Sequence, residues 1–224
     1  MRRIKKGKEP RLWQEHRSTP GAVYDPDKGL GPTAKAKQAL REALVSEQGY
    51  LCCYCMDRIH PTQEGMKIEH WAAQNPEEGD SAGQEMAYSN LLGACLGGKG
   101  NRPADQHCDT VRGNQPLHIH PADPNKDCSV LFGHASTGKI EGRTDEAKKD
   151  IATLNLNVNR LVEARKAVLQ SLLDWFNSRK NRGRPLSKGE LLRKARSYDA
   201  EGEKLDVFCQ VAVFWLTKRA NQRA

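Results

Sequence analysis

The sequence predicts an α+β fold in which a small cysteine-rich core is flanked by helices. Five of the seven cysteines fall between Cys52 and Cys108. A short strand-like run, residues 67–71, lies between the two cysteine pairs of this region. From Thr144 onward, apolar residues recur at the three- and four-residue spacing typical of helices. These features indicate a strand-containing centre with helices mainly on its carboxyl-terminal side.

Composition limits the size of the fold. The chain has 224 residues, 37% of them hydrophobic, which suits one modest core and is too little for two full-sized domains. Its most apolar stretch, residues 207–216, is far shorter than the roughly 20 residues that a membrane-spanning helix needs. The amino terminus is charged and lacks the apolar stretch of an export signal. We therefore expect a cytoplasmic protein with no membrane partner.

Charge is distributed unevenly along the chain. The net charge of +8 favours an anionic partner such as nucleic acid, although many basic proteins bind none. Residues 1–13 contain six basic residues and one acid, and residues 179–196 contain eight basic residues and one acid. Residues 50–114, which include five cysteines, instead carry nine acids and five bases. The cysteine-rich region is thus the acidic part of a basic protein, and an acidic pocket attracts cations.

We divide the chain into three parts. Residues 1–31 are predicted to be an extended basic arm, because glycine and proline argue against regular structure there. This arm would lie on the body of the protein or on a partner, and a disordered, solvated tail is the alternative. Residues 32–125 hold the cysteine-rich core and a helix that precedes it. Residues 126–224 are predicted to be a helical region.

Several helix ends have sequence signals. Thr33 can cap the helix before the cysteines, and Gly49 suits a left-handed position at its end. Asn157 is a predicted N-cap, and the run from Ser187 to Glu190 has the form of a capping box. The helix after Asn157 has an apolar stripe that consists of Leu161, Val168, Leu169, Leu172 and Phe176.

The cysteine spacing predicts a structural zinc site. Cys52 and Cys55 form a C-x-x-C step, at which a tight turn lets two thiolates bind one tetrahedral zinc ion. Cys95 and Cys108 are a second pair, separated by a glycine-rich loop flexible enough to bring them together. A thioredoxin-like redox motif is the competing interpretation, but no strand–helix unit follows the C-x-x-C. The alternative ligands are His107, His118 and His120.

The other cysteines have a simpler interpretation. They are predicted to be small buried hydrophobic residues, because free cysteine is among the most buried residue types. These residues are Cys53, Cys128 and Cys209.

The order of the motifs resembles that of the HNH endonuclease, or ββα-metal, family. A C-x-x-C step is followed by Glu69-His70, then by Asn-Leu-Leu-x-x-Cys over residues 90–95. A further cysteine, an acid, a basic residue and glycine follow over residues 108–113. The resemblance implies that residues 32–125 are a zinc-stapled nuclease core made of two strands and a helix. It also implies hydrolysis of phosphodiester bonds.

The resemblance assigns a role to each motif residue. His70 would be the general base, and Glu69 would bind the catalytic divalent cation, Mg²⁺ or Mn²⁺. Asn90 would brace the loop around the base, and Asp109 would be the second protein ligand of the cation. Two departures stand out: Asp109 occupies a position that is usually His or Asn, and twelve residues separate Cys95 from the next cysteine, where the family has a close pair.

Longer blocks of sequence look like the nuclease subunit of Septu-type anti-phage defence systems, including versions encoded beside retrons. The blocks are residues 4–10, 47–55 and 151–161, and the similarity covers residues 1–165. It implies a complex with an ABC/SMC-like ATPase, which we expect to hold the basic arm. In retron-associated versions it also implies a reverse transcriptase and its DNA. The substrate would be phage or plasmid DNA, or transfer RNA.

Phosphate contacts are predicted at basic residues. Arg112 lies inside the motif, and residues 179–196 form the second basic run. The members of this run that we assign to nucleic-acid binding are Arg179, Lys180, Arg182 and Arg184. A rival hypothesis is a catalytically inactive zinc module that only docks nucleic acid or the ATPase. Glu69, His70 and Asp109 separate the two hypotheses, since docking alone requires none of them.

Overall fold

A computed structural model of the chain describes residues 1–73, 84–180, 185–200 and 204–222. In these ranges, helices and short strands are mixed. The helices are α1 (Arg11–Arg17), α2 (Ala34–Glu47), α3 (Asp109–Arg112), α4 (Asp145–Thr153), α5 (Asn159–Lys180), α6 (Lys188–Ser197) and α7 (Cys209–Asn221). The strands are β1 (Lys67–His70), β2 (Leu91–Ala94), β3 (Phe132–His134) and β4 (Ile140–Gly142). The predicted α+β class is confirmed.

The sheet at the centre of the cysteine-rich region has two antiparallel strands. In this pairing of β1 with β2, Lys67 lies opposite Ala94 and His70 lies opposite Leu91. The short helix α3 follows β2 in the chain and begins at Asp109. Cys108, immediately before α3, has a positive φ of 56°, which turns the chain sharply into the helix. The ends of β1 and β2 and the start of α3 therefore belong to one small structural unit.

Two hydrophobic clusters hold the elements together. The larger one joins α2, the β1–β2 sheet and the amino-terminal segment, and it includes the buried residues Trp13, Leu40 and Leu92. The smaller one joins α5, α6 and α7 through Leu172 and Leu191, among others. Within the part of the chain that the structure describes, no helix combines the length and the apolar character needed to cross a bilayer.

Most predicted helix ends are confirmed, with one correction. Thr33 caps α2 by accepting a hydrogen bond from the amide of Ala36, and Ser187 forms the complete capping box of α6. Asn157, however, does not cap α5. Its side chain instead exchanges two hydrogen bonds with the backbone of Ile140, at 2.9 and 3.0 Å, and so ties β4 to the start of α5.

Residues 126–224, predicted to be a helical region, contain α4 to α7, but they begin with a hairpin of β3 and β4 that the sequence did not predict. Each strand has only three residues, too few for an alternating pattern to stand out in the sequence. Gly138 in the connecting turn has a φ of 82°. A Cβ there would lie 2.3 Å from the carbonyl oxygen of Val162, so the close approach of hairpin and α5 requires glycine.

The prediction that residues 1–31 form an extended arm is also corrected. Helix α1 lies within this range, and Met1, Ile4 and Trp13 are buried in the larger core. The amide of Ile4 donates a hydrogen bond to the carbonyl of Pro121 at 2.9 Å. This segment therefore packs on the body of the protein, because its few apolar residues reach the core and the largely buried Lys6 pairs with Glu47 and donates to the carbonyl of Leu91 at 2.8 Å.

The same packing predicts a large loss of stability when the segment is altered. Trp13→Ala should lower the free energy of unfolding by about 3–5 kcal/mol, because it leaves a cavity at a fully buried ring. Leu12→Ala is the matched control, since Leu12 is exposed and its truncation should change stability by less than about 0.5 kcal/mol. Urea unfolding of both variants checks this. Equal, small effects would mean that the segment contributes nothing to the core.

Deleting residues 1–13 consequently removes three core side chains. Loss of ATPase binding in such a truncated protein would therefore not isolate a docking contact, because the fold would be disturbed as well. That the ATPase holds this stretch remains a prediction.

Candidate active site and metal centre

The structure brings the four predicted cysteines together. The Sγ atoms of Cys52, Cys55, Cys95 and Cys108 all lie within 4.8 Å of one another, and all four residues are buried. The Cys52–Cys108 Sγ distance is 3.9 Å and the Cys55–Cys95 Sγ distance is 3.7 Å. All seven cysteines of the chain are free thiols. The glycine-rich loop closes the twelve-residue gap, with φ values of 56° and 71° at Gly97 and Gly98.

These distances fit a zinc ion. A tetrahedron with Zn–S bonds of about 2.3 Å has sulfur–sulfur edges of about 3.8 Å. Burial raises the pKa of Cys55 and of Cys108, so without a cation these thiols favour the protonated form. A bound cation reverses this balance, and binding would release protons. Burial also disfavours the redox interpretation, because a reactive thiolate needs access to solvent.

His107 lies beside the cluster and acts on it as a hydrogen-bond donor. Its Nε2 is 3.2 Å from Nη2 of Arg160, and since arginine only donates, Nε2 must be the accepting nitrogen. Nδ1 therefore carries the proton. It lies 3.2 Å from Sγ of Cys108, to which it donates. We therefore interpret His107 as a hydrogen-bond donor to the Cys108 thiolate and not as a metal ligand. The sequence alone left both possibilities open.

A buried arginine provides a second reason to expect negative charge on the four cysteines. Arg165 is 1% exposed, and its Nε and Nη2 have no hydrogen-bond partner within the described residues. Burial lowers its pKa to about 10, while the thiols of Cys55 and Cys108 act in the opposite direction. Four thiolates around one zinc ion carry excess negative charge, which would compensate the Arg165 cation.

The remaining histidines and cysteines of the sequence analysis lie outside this group. His118 pairs with the buried Asp150, with Nδ1 2.9 Å from its Oδ1. His120 packs its ring against Trp71, with the ring centroids 4.6 Å apart. Among the described residues, the group of metal-binding side chains contains neither of them. The other three cysteines are buried, as predicted: Cys53, Cys128 and Cys209.

The end of β1 places an acid and an imidazole side by side in the chain. Glu69 is buried at 3% exposure and accepts a hydrogen bond from the hydroxyl of Tyr54 at 2.7 Å. It also forms a buried ion pair with Arg112. Burial, together with the nearby charge of Asp109, raises the pKa of Glu69 well above its usual range. Adjacent carboxyl groups of this kind form the oxygen-rich donor set that Mg²⁺ prefers.

His70 is held in one tautomer. Its Nε2 lies 2.9 Å from the backbone carbonyl oxygen of Glu85, which only accepts, so Nε2 carries the proton. Nδ1 is then the nitrogen with a free lone pair for a proton. Burial lowers the pKa of His70 to about 4, so the ring is neutral at pH 7. The geometry thus presents a neutral imidazole that can accept a proton.

Asn90 ties together the backbone on either side of residues 74–83. Its Oδ1 accepts a hydrogen bond from the amide of Ala72 at 2.7 Å. Its Nδ2 donates to the carbonyls of Ala72 and Gln84, each at 3.1 Å. These contacts lie immediately after His70 in the chain, at the position where the sequence predicted a brace.

Asp109 lies at the first turn of α3, on the solvent side of Glu69. Its carboxylate pairs with Lys67 at 2.7 Å, and Lys67 also donates to the hydroxyl of Thr110 at 2.8 Å. Burial opposes the ionisation of Asp109, but the hydrogen bond that it shares with Glu69 and the hydrogen bond and charge of Lys67 outweigh it and lower its pKa. Asp109 is partly exposed, with 22% of its side chain accessible. It is therefore the more accessible of the two carboxyl groups.

The prediction that Arg112 contacts nucleic acid is wrong. Its side chain is 1% exposed and its guanidinium is fully engaged inside the protein. It donates to the Glu69 carboxylate, to the hydroxyl of Tyr54, and to the backbone carbonyls of His70, Trp71 and Gln115. Arg112 thus fixes the end of β1 and the chain beyond it, and it is not available to a phosphate.

Arg112→Gln should therefore impair the fold and leave nucleic-acid affinity unchanged. Removing one partner of a buried ion pair leaves Glu69 uncompensated, with an expected loss of about 3–5 kcal/mol in the free energy of unfolding. Arg102→Gln is the control, because the Arg102–Asp105 pair is exposed and contributes at most about 1 kcal/mol. Urea unfolding and filter binding measure the two effects. A stable Arg112→Gln variant that binds nucleic acid weakly would restore the original prediction.

The second basic run is only partly described. Arg179 is exposed near the end of α5. Arg182 and Arg184 lie outside the described residues, as does the side chain of Lys180. Their assignment to phosphate binding remains a prediction.

Comparisons with known proteins support a relationship to HNH-type nucleases. The chain is 25% identical over 165 aligned residues to an Escherichia coli protein named "Retron Ec83 putative HNH endonuclease". The alignment covers 58% of this chain and 64% of the relative, so the chain spans less than two thirds of the relative's length. No family model matches the chain. The similarity suggests a nuclease-type enzyme.

Sequence reasoning missed the residues that support the site. Lys67, Tyr54 and Arg165 have no motif of their own, and their partners are distant in the chain. For Lys67 the sequence does contain one signal. It lies two residues before Glu69 on β1, so the two side chains are on the same face of the strand.

Proposed function

We propose that the chain is a metal-dependent HNH endonuclease with a structural zinc ion held by Cys52, Cys55, Cys95 and Cys108. The observation that supports this best is the arrangement at the end of β1. His70 has its Nε2 engaged by the carbonyl of Glu85, which leaves Nδ1 to accept a proton, and Glu69, which directly precedes it on β1, lies beside the carboxyl group of Asp109. Binding nucleic acid alone would not require this combination.

In the proposed reaction, Nδ1 of His70 accepts a proton from a water molecule as the water oxygen attacks phosphorus. A new P–O bond forms, the bond to the leaving sugar oxygen breaks, and that oxygen is protonated by solvent. Asn90 holds the chain after His70, and Arg112 holds the carbonyl of His70, so the backbone that carries the imidazole is fixed. These residues position the base and do not touch the reacting atoms.

Glu69 and Asp109 are the residues that would hold Mg²⁺ or Mn²⁺. The fit is supported by two neighbouring carboxyl groups, one of which is partly open to solvent. A bound cation would neutralise charge on the phosphoryl oxygens and stabilise the leaving oxygen. In this structure Lys67 donates a hydrogen bond to the Asp109 carboxylate and compensates its charge. Lys67 would have to turn outward when the cation enters.

We further propose that the enzyme is an effector of an anti-phage defence complex with an ABC/SMC-like ATPase. The name of the Escherichia coli relative includes a retron, which supports the proposal that this chain also acts with a retron. Its further partners would then be the reverse transcriptase of that retron and its DNA. Residues 50–114 are acidic overall and should repel a phosphate backbone. Substrate affinity would therefore come from the basic residues of 1–13, from residues 179–196 or from the partner, with DNA and transfer RNA as candidate substrates.

A catalytically inactive zinc module is the second candidate. It is favoured by the state of Glu69, whose carboxylate is buried and engaged by Tyr54 and Arg112 in the manner of a structural ion pair. Such a module would keep the zinc cluster and the fold, and it would dock nucleic acid or the ATPase without cleaving anything.

One experiment separates the two candidates. The chain, alone and co-purified with its ATPase, is incubated with plasmid DNA and with total transfer RNA, each with and without Mg²⁺ and ATP. The proposal predicts cleavage of at least one substrate that requires Mg²⁺ and is strongest in the complex. Binding of nucleic acid without cleavage in any condition would favour the inactive module.

A further inference from the structure

The amino-terminal segment makes direct contact with the loop that holds His70. Trp13, on α1, is fully buried and its Nε1 donates a hydrogen bond to the backbone carbonyl of Met86 at 3.1 Å. Met86 follows Glu85, whose carbonyl accepts a hydrogen bond from Nε2–H of His70. The indole of Trp13 thus fixes the backbone one residue away from the carbonyl that sets the tautomer of His70.

Tyr24 contributes two more contacts from the same segment. Its backbone amide donates a hydrogen bond to the carboxylate of Glu85 at 3.3 Å. Its ring meets the imidazole of His70 edge to face, with the centroids 4.4 Å apart and the planes at 87°. This is the close, T-shaped arrangement that aromatic rings prefer. Tyr24 therefore holds both the ring of His70 and the residue to which that ring is hydrogen-bonded.

The ring of Tyr24 is itself held in place by its neighbours. Trp13 packs against it at a centroid distance of 6.0 Å, and Nζ of Lys37, on α2, lies 5.0 Å from the ring centre. A continuous series of side-chain contacts therefore connects α1 and α2, through Tyr24, with the imidazole of His70. A ring supported in this way restricts the rotation of the imidazole more than a mobile side chain would.

We infer that residues 13–24 form one wall of the active site and that Tyr24 is a positioning residue for the imidazole of His70. This inference rests on the proposed function, since it concerns the general base of that reaction. It goes beyond it by adding a segment far upstream of the HNH-like motif. It also gives the amino-terminal segment a role in catalysis, beside the docking role predicted from its charge.

The test uses Tyr24→Leu, which removes the aromatic edge, and Tyr24→Phe, which retains it. Tyr198→Leu is the control, because Tyr198 is a half-buried tyrosine that packs in the smaller core of α5 to α7. Steady-state cleavage is measured with the chain in complex with its ATPase. We expect Tyr24→Leu to lower kcat by about 10–100-fold with KM within about twofold, and Tyr24→Phe to restore kcat to within about threefold.

A second readout does not depend on activity. In ¹⁵N-histidine-labelled protein, the ring nitrogens of His70 report which of them carries the proton, and the signals are assigned by their loss in His70→Ala. We expect the Nε2-protonated tautomer in the wild type and in Tyr24→Phe, and a mixture of tautomers in Tyr24→Leu. Zinc content and thermal stability are measured on the same samples, to separate positioning from unfolding.

The outcomes distinguish this inference from the proposed function. An unchanged kcat and an unchanged His70 spectrum in Tyr24→Leu would overturn the positioning role. A kcat loss equalled by Tyr198→Leu would overturn it as well, because it would reflect general destabilisation. If the wild type cleaves nothing, the proposed function fails, and a tautomer change confined to Tyr24→Leu would still support the contact's effect on His70.

Discussion

Replacement of His70 by alanine is expected to lower the rate of nucleic-acid cleavage by about 10²–10⁴-fold, because the reaction loses its general base. The loss should appear in kcat, since the imidazole acts on the attacking water and contributes little to substrate binding. His70→Gln should show the same loss. Glutamine keeps an N–H donor for the carbonyl of Glu85 but cannot accept a proton at neutral pH.

Controls are needed because His70 is buried and packs against Tyr24. Zinc content and thermal unfolding should be close to those of the wild type, in His70→Gln above all. His118→Ala is the matched histidine variant: its imidazole is partly exposed and pairs with Asp150. We expect it to cleave at nearly the wild-type rate. Near-normal turnover in His70→Gln would show that the base has been misassigned.

Serine at Cys52 or at Cys108 is expected to lower the zinc content from one ion per chain and to destabilise the fold. The four Sγ atoms form one closed, buried group, so the loss of one thiolate leaves the tetrahedral ligand set incomplete. Since structural zinc binding supplies folding free energy, the midpoint of thermal unfolding should fall by on the order of 10 °C. Cleavage should be lost with the fold, because Cys108 directly precedes Asp109.

Cys53→Ser provides the comparison for this experiment. Cys53 is also buried and is the immediate neighbour of Cys52, but its thiol lies outside the group of four. Elemental analysis should therefore find full zinc content in Cys53→Ser and reduced content in Cys52→Ser. An undiminished content in Cys52→Ser or in Cys108→Ser would remove that residue from the ligand set.

The elements that the sequence predicted well are those encoded locally. Thr33 and Ser187 predict the starts of helices, because a capping hydrogen bond joins residues only three positions apart in the chain. The C-x-x-C step of Cys52 and Cys55 likewise contains its own turn. Even the pairing with Cys95 and Cys108 followed from the glycine-rich loop between them, whose backbone can adopt left-handed conformations at low cost.

The errors concern residues whose role depends on distant partners. The place of Arg112 in the motif predicts a phosphate contact, yet Tyr54 and Glu69, more than 40 residues away, enclose its guanidinium. The glycines and prolines of residues 1–31 predict an extended arm. Three apolar residues anchor this segment in the core, and no local pattern shows which distant surface they meet.

The supporting roles of His107 and Tyr24 have the same physical origin. Neither residue belongs to a spacing motif, since what matters is a hydrogen bond from Nδ1 to a sulfur in one case and a ring contact in the other. Such contacts are set by packing after the chain has folded. They can be recognised in the structure and tested by substitution, whereas the sequence contains no periodic signal for them.

The most direct test of the account is the dependence of phosphodiester hydrolysis on Mg²⁺ in the wild type and in Asp109→Asn. Both proteins, alone and together with the proposed ATPase partner, are assayed on labelled plasmid DNA and transfer RNA while Mg²⁺ is titrated after chelation. The account predicts cleavage by the wild type that disappears without Mg²⁺, and a much weaker response to Mg²⁺ in Asp109→Asn, with zinc content unchanged in both. Cleavage that persists without divalent cations, or an Asp109→Asn variant with the wild-type Mg²⁺ response, would contradict it.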